Sequence, residues 1–197
     1  MPGDNLVADA SGSERVLYLV RHCQSAGQEP DAPLTALGHA QAELLADRLL
    51  ANGIVRVVAS PYLRATQSIA PLARRLALSV ETDVRLVERV LSPEPLDDWR
   101  ERLRAAWDDH DLVLPGGESS REATARGMAA VLTLMADERR PVVVVTHGNL
   151  LALILHAIDG RPGYATWEQL TNPDLFEVTC DPISRTMPAR WRVTRLT

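Results

Sequence analysis

The chain has no lysine: every one of its 21 basic residues is arginine. Such uniformity reads as the coding habit of a GC-rich genome, so arginine abundance alone is no sign of an anion-binding surface. Acidic residues outnumber basic ones and leave a net charge of -5. That balance argues against a nucleic-acid partner, because such proteins need a dense cationic patch to displace counterions from phosphates. It leaves room for a local basic pocket. Cysteine is scarce as well. Cys23 and Cys180 are too few for a disulfide scaffold, and neither belongs to a C-x-x-C pair or a Cys/His cluster of metal-ligand spacing, so no metal centre is expected and a reduced, cytoplasmic setting is. Long apolar runs are also missing. The first residues, MPGDNLVADASGSE, include acidic side chains and no apolar core of signal-peptide length, and no later run is long enough to span a bilayer. A soluble protein without a membrane partner is expected.

What is present fits one domain. A chain of 197 residues can bury a single core without splitting. Residues 1–14 are small and polar and read as a flexible leader, which leaves 15–197 as the folded unit. VLYLV (16–20), IVRVVA (54–59) and VVVVT (142–146) are short β-branched runs of the kind buried on both faces of a parallel sheet. Helical patterns follow them. TALGHAQAELLADRLLANG stops at Gly53, and SPYLRATQSIAPLARRLA is read with Ser60 as N-cap and Pro61 at the first helical position. Ser119 and Glu122 have capping-box spacing, LLALILHAI is apolar on nearly all sides, and FEVTC and WRVTR read as closing strands. The segment 89–118 is rich in proline and glycine around a helix near 96–109, and it reads as an insertion covering something. Leu96, Trp99, Leu103 and Trp107 recur at helical spacing in it, so the tryptophans are read chiefly as packing residues, with substrate stacking as the alternative. His39, His110 and His156 belong to no motif and are read as structural. The sum is an α/β fold, a three-layer α/β/α sandwich with a mainly parallel sheet.

In open parallel sheets ligands bind outside the carboxyl ends of the strands. The three core strands end at Arg21-His22, at Ser60-Pro61 with Arg64 close behind, and at Thr146-His147-Gly148. Two histidines and two arginines therefore converge. Guanidinium forks match phosphoryl oxygens and helix N-termini add partial positive charge, so the composite site suits a phosphate.

Two adjacent side chains, His22 and Cys23, can attack phosphorus. Cysteine-dependent phosphatases need an arginine at the sixth position after the cysteine, and here that position holds Glu29, which would repel the substrate. An imidazole is largely unprotonated at neutral pH, and flanking arginines keep it so. It can take a phosphoryl group without a metal, dividing one transfer into two easier ones.

VRHCQS resembles the R-H-G-[EQ]-[ST] signature of the histidine phosphatase superfamily, also called phosphoglycerate mutase-like, with Cys23 in place of the usual glycine. SPYLRATQSI is similar to its S-P-x-x-R-A-x-Q-T motif, VVVVTHGNLL to its strand ending in His-Gly, DVRLVER to the segment with its catalytic glutamate, and PGGESSREATAR to its G-G-E-S loop. The similarity spans roughly residues 15–155, with the motifs in the family's order. The resemblance implies the family's phosphoglycerate mutase-like fold and a phosphohistidine on His22. It implies that Arg21, Arg64 and His147 bind the phosphoryl oxygens, that Ser25 and Gln28 add donors, and that Glu88 protonates the leaving oxygen, with Glu118 as its rival. A carboxyl beside a phosphate dianion tends to keep a proton it can donate.

Three activities follow from the resemblance. The first is a metal- and cofactor-independent phosphatase acting on a small phosphorylated metabolite. The second is a cofactor-dependent phosphoglycerate mutase, against which VLSPEPLDDW stands where mutases usually carry Trp-Glu-Gly. The third is a phosphate-binding regulatory domain without turnover, against which both histidines argue.

Overall fold

The computed structural model describes residues 15–180 and 191–196, so the expected leader lies outside the described residues. Six strands form one sheet: β1 (Arg15–Arg21), β2 (Arg56–Ala59), β3 (Val80–Thr82), β4 (Val142–Thr146), β5 (Asp174–Cys180) and β6 (Trp191–Arg195). Their order is β3-β2-β4-β1-β5-β6. The first four are mutually parallel, while β5 runs antiparallel to β1 and β6 antiparallel to β5. The expected mainly parallel sheet is therefore present, with the two closing strands turned back along one edge.

Period-two alternation divides the core. Val143 and Val145 of β4 pack with Tyr18, Val20 and Val57 under helices α1 (Ala36–Leu49) and α2 (Leu63–Leu76). Val142 and Val144 pack on the opposite face with Leu17, Leu19 and Val58, under α4 (Ser120–Ala136) and α5 (Gly148–Asp159). Successive side chains of a strand leave it in opposite directions, so an all-valine strand feeds both layers. Every residue from Leu150 to Leu155 is fully buried. Each such Leu or Ile contributes on the order of 2 kcal/mol by leaving water. The capping box at Ser119 and Glu122 is made in both directions and starts α4.

Two shorter helices, α3 (Trp99–Asp108) and α6 (Gly163–Gln169), lie in the segments that overhang the strand ends. The helix expected at Ser60 begins later, with Tyr62 as its N-cap. The Leu63 N–H donates to the Pro30 carbonyl at 2.8 Å, so the loop after β1 caps this helix from outside. The Ser60 hydroxyl accepts from Tyr62 N at 3.3 Å and also meets the neighbouring strand end.

Candidate active site

Because β2, β4 and β1 are neighbours in that order, their carboxyl ends lie side by side. The ladder continues one residue past each strand: His22 N donates to Thr146 O at 3.0 Å and Ser60 N to Val145 O at 2.9 Å. Residues far apart in the chain are thus fixed by backbone bonds. The rings of His22 and His147 meet edge to face with centroids 5.1 Å apart. Arg64, only 1 % exposed, places its Nε 3.3 Å from His22 Nε2.

The tautomer of His22 follows from its contacts. Nδ1 lies 2.6 Å from the Cys23 carbonyl oxygen, which can only accept, so Nδ1 carries the proton and Nε2 keeps its lone pair. Asn172 secures the same residue from the backbone side by donating to the His22 carbonyl at 2.7 Å. Burial lowers the His22 pKa to about 4; the Cys23 bond opposes it, and the charges of Arg64 and Arg21 add smaller lowering effects. His147 is lowered too, by burial first and by His22 and the arginines next. Its Nε2 is 2.8 Å from Ser60 Oγ, while its Nδ1 is buried without a partner.

Arg21 donates through one terminal nitrogen to Leu170 O at 2.9 Å, and its Nε is buried and unpartnered. Gly148 makes room for it, since a Cβ there would sit 3.1 Å from the guanidinium. Arg64 uses NH1 on the carbonyls of Gln28 and Glu29. Among the described residues no carboxylate pairs with Arg21, Arg64 or Arg89, whereas Arg85 and Arg126 each hold one and Arg56 holds two. Burial lowers the pKa of all three unpaired arginines, and Glu88 is the first countercharge felt by Arg21 and Arg64.

Glu88 stands at the N-terminus of α5. Its Oε1 accepts from Arg89 N and Leu150 N at 2.9 and 3.0 Å, and its Oε2 from Asn149 N at 3.1 Å. The free N–H groups of a helix start hold a carboxylate in this way. The rival, Glu118, is engaged bidentately by Arg126 at 2.6 and 2.7 Å. Glu88 and Arg21 border one cleft of about 570 Å³ together with Gln28, Arg89, Asn149 and Trp99, and Glu118 does not border it.

Ser25 turns its hydroxyl back to the Gly27 carbonyl at 2.9 Å, within its own loop. Gln28 is exposed at the rim and touches Arg64 through its backbone. Cys23 is fully buried among the apolar side chains of the α1/α2 layer, and burial pushes its thiol up to about 11. For Trp99 the structure favours the second reading over packing alone: the residue is 41 % exposed and borders the cleft, its ring edge to face with Trp167 at 5.8 Å. Trp107 does pack, against Gly163, where a Cβ would come within 2.0 Å of its ring. Four residues were not singled out from the sequence: Ser60 as partner of His147, Asn172, Asn149 and Arg89. Ser60 at the end of β2, Arg89 next to Glu88 and Asn149 next to the His-Gly pair each carried a signal by position, and Asn172 carried none.

Comparison with known proteins agrees with this geometry. Residues 17–190 match the family model of the histidine phosphatase superfamily (branch 1). The chain is 32 % identical over 168 residues to a probable phosphoglycerate mutase, GpmB, of Proteus mirabilis, covering 76 % of this chain and 77 % of that one. The structure superposes on a mycobacterial glucosyl-3-phosphoglycerate phosphatase with a TM-score of 0.75 and 30 % identity, covering 93 % of this chain and 98 % of the other. A protein described as mycobacterial hydrolase 2 gives a TM-score of 0.77 at 28 % identity over 91 % of this chain and 89 % of its own. The protein belongs to the histidine phosphatase superfamily. Among the described residues no helix is long and apolar enough to cross a membrane.

Proposed function

We propose that the protein is a metal-independent phosphomonoesterase that works through a phosphohistidine on His22. The observation that carries this reading is the His22 ring. Its Nδ1 proton is tied to the Cys23 carbonyl, its Nε2 lone pair lies beside the Arg64 guanidinium, and it stays neutral down to a pH of about 4. A ring held in that tautomer next to a cation that no carboxylate pairs directly is ready to meet an anionic electrophile.

The substrate phosphoryl group takes up the positive charge of Arg21 and Arg64, and the Arg64 Nε–H passes from the imidazole to a phosphoryl oxygen. The 3.3 Å contact it leaves is already long. His22 Nε2 forms the N–P bond as the P–O bond to the alcohol breaks, and Glu88 gives its proton to the departing oxygen. Water then attacks phosphorus and yields its proton to Glu88. The N–P bond breaks and inorganic phosphate leaves. Little covalent work is asked of the protein, so neutralising the equatorial oxygens supplies most of the rate enhancement. His147 adds a further donor from the adjacent strand end.

Rapid quenching during turnover of a radiolabelled phosphomonoester tests the proposal. An acid-labile, alkali-stable label on His22 and phosphate release unaffected by chelators are expected. Label on another residue, or loss of activity with chelator, overturns it. Incubation with 3-phosphoglycerate and a bisphosphoglycerate primer separates the phosphatase from the mutase: free phosphate is the expected product, and 2-phosphoglycerate as the main product refutes hydrolysis.

A further inference from the structure

Across the sheet from Arg21 stands an acid that Arg21 does not take. β5 runs antiparallel to β1 with Asp174 directly opposite Arg21, and side chains so placed leave the same face of the sheet with Cβ atoms about 5 Å apart. A guanidinium and a buried carboxylate in that position would ordinarily pair. Instead Arg195, at the end of the edge strand β6, holds both oxygens of Asp174, by Nε at 2.9 Å and by a terminal nitrogen on the second oxygen. Asp174 is fully buried, and the N–H groups of Thr171 and Leu175 also donate to it, each at 3.1 Å. Burial lowers the Arg21 pKa, and the charge of Asp174 opposes this less than that of Glu88 does. The Arg21 guanidinium rests on the Leu170 carbonyl, with its Nε unpartnered. Leu170 belongs to the turn before β5, and Arg195 ties that turn at its start by donating to the Gln169 carbonyl at 2.9 Å. One cation thus satisfies the buried acid and fixes the turn on which Arg21 lies.

We propose that Arg195 is a positioning residue of the phosphoryl site: by holding the Asp174 carboxylate it keeps Arg21 from pairing across the strands and leaves that guanidinium for the substrate. The proposal rests on Arg21 being a phosphoryl ligand, as argued above. Two arginines compete for one carboxylate, and the one that yields it binds the phosphate. The competition predicts an asymmetry. Removing the cation of Arg195 releases the acid to draw Arg21 away, whereas removing the acid leaves nothing on β5 to draw it. An ion pair that served the fold alone would suffer from either loss alike.

Titration calorimetry with inorganic phosphate reads the site without turnover, and circular dichroism checks that each protein is folded. Arg195→Gln should weaken phosphate binding about tenfold or more, the range of a lost charge-assisted bond. Asp174→Asn should keep the affinity within about twofold. Combining Arg195→Gln with Asp174→Asn should bring it back to within about threefold of the unaltered chain, a rescue that a structural role would not give. Equal losses in the two single variants, an undiminished Arg195→Gln protein, or a double variant as weak as Arg195→Gln each overturns the proposal. If Arg195→Gln alone does not fold, the double variant still decides: retained affinity supports the proposal and lost affinity overturns it. Failure of the unaltered chain to bind phosphate is a different result, which removes the phosphomonoester reading and this proposal with it.

Discussion

The strand-end floor of the site, of which Arg21 borders the cleft, and the wall of that cleft hold their side chains by different means. On the floor, Arg21, His22, Ser60 and His147 follow directly from three adjacent strands, and the backbone bonds from His22 N and Ser60 N extend the sheet beneath them. Little there can move without breaking the ladder. The wall comes from 88–118, where α3 is anchored by buried Leu103 and Ala106 and by Trp107 lying on Gly163. Arg126 clips the preceding turn by its carbonyls. A rigid floor suits a reaction that needs fixed geometry, and a wall hung on few contacts can be altered without disturbing it.

That division predicts opposite kinetic signatures. His22→Ala should lower turnover at least about a thousandfold, since in the proposed mechanism no other group forms the covalent intermediate. Trp99→Ala should leave kcat within a few fold and act through KM, most for bulky alcohols. Steady-state kinetics on several phosphomonoesters checks both, and a Trp99 variant as inactive as the His22 variant would erase the distinction. Glu88 lies at the join between the regions. Glu88→Gln should cost about a hundredfold with alkyl phosphates and far less with p-nitrophenyl phosphate, whose leaving group needs no proton. Equal losses on both would remove Glu88 as proton donor.

How much of this was legible beforehand follows the same line. The floor could be read because a strand buried on both faces leaves an uninterrupted β-branched run, and the residue after it is placed by the sheet. Arg21, His22, Arg64 and His147 were found in that way, and the family resemblance added Glu88. The start of α2 was misplaced because Ser60-Pro61 has the pattern of a cap, while the carbonyl of Pro30 that caps it comes from another loop. Trp99 was weighed chiefly as packing because helical spacing shows which residues share a face but not what that face meets. Arg89 stood in the sequence only as the residue after Glu88 in DVRLVER; that its NH1 is buried without a hydrogen-bond partner shows only in three dimensions.

The floor should also declare itself in stability against pH. His22 has a folded pKa of about 4, below the unfolded value of about 6.5. Below 6.5 the unfolded chain takes up a proton that the folded one refuses. The stability present above 6.5 is therefore lost as pH falls, until the folded ring titrates near 4. Linkage puts the loss from His22 alone at roughly 3 kcal/mol, and His147, shifted in the same direction, adds to it. Urea unfolding between pH 7 and 4 should show this decline. His22→Gln should flatten it, and an unchanged slope in that variant would place the acid sensitivity outside the floor.

The smallest effect is expected beside the proposed nucleophile. Cys23 lends His22 only its backbone carbonyl, while its side chain enters the α1/α2 core and its N–H bonds to Ser68 Oγ at 2.8 Å. Cys23→Ser keeps that carbonyl, so kcat/KM should stay within about twofold, at a stability cost of about 1–2 kcal/mol for a hydroxyl placed among apolar groups. With its thiol pushed up to about 11, almost no thiolate forms at pH 8, and iodoacetamide should leave activity intact. Rapid inactivation by that reagent, matched by a dead Cys23→Ser protein, would move the nucleophile one residue along the chain and undo the floor as described.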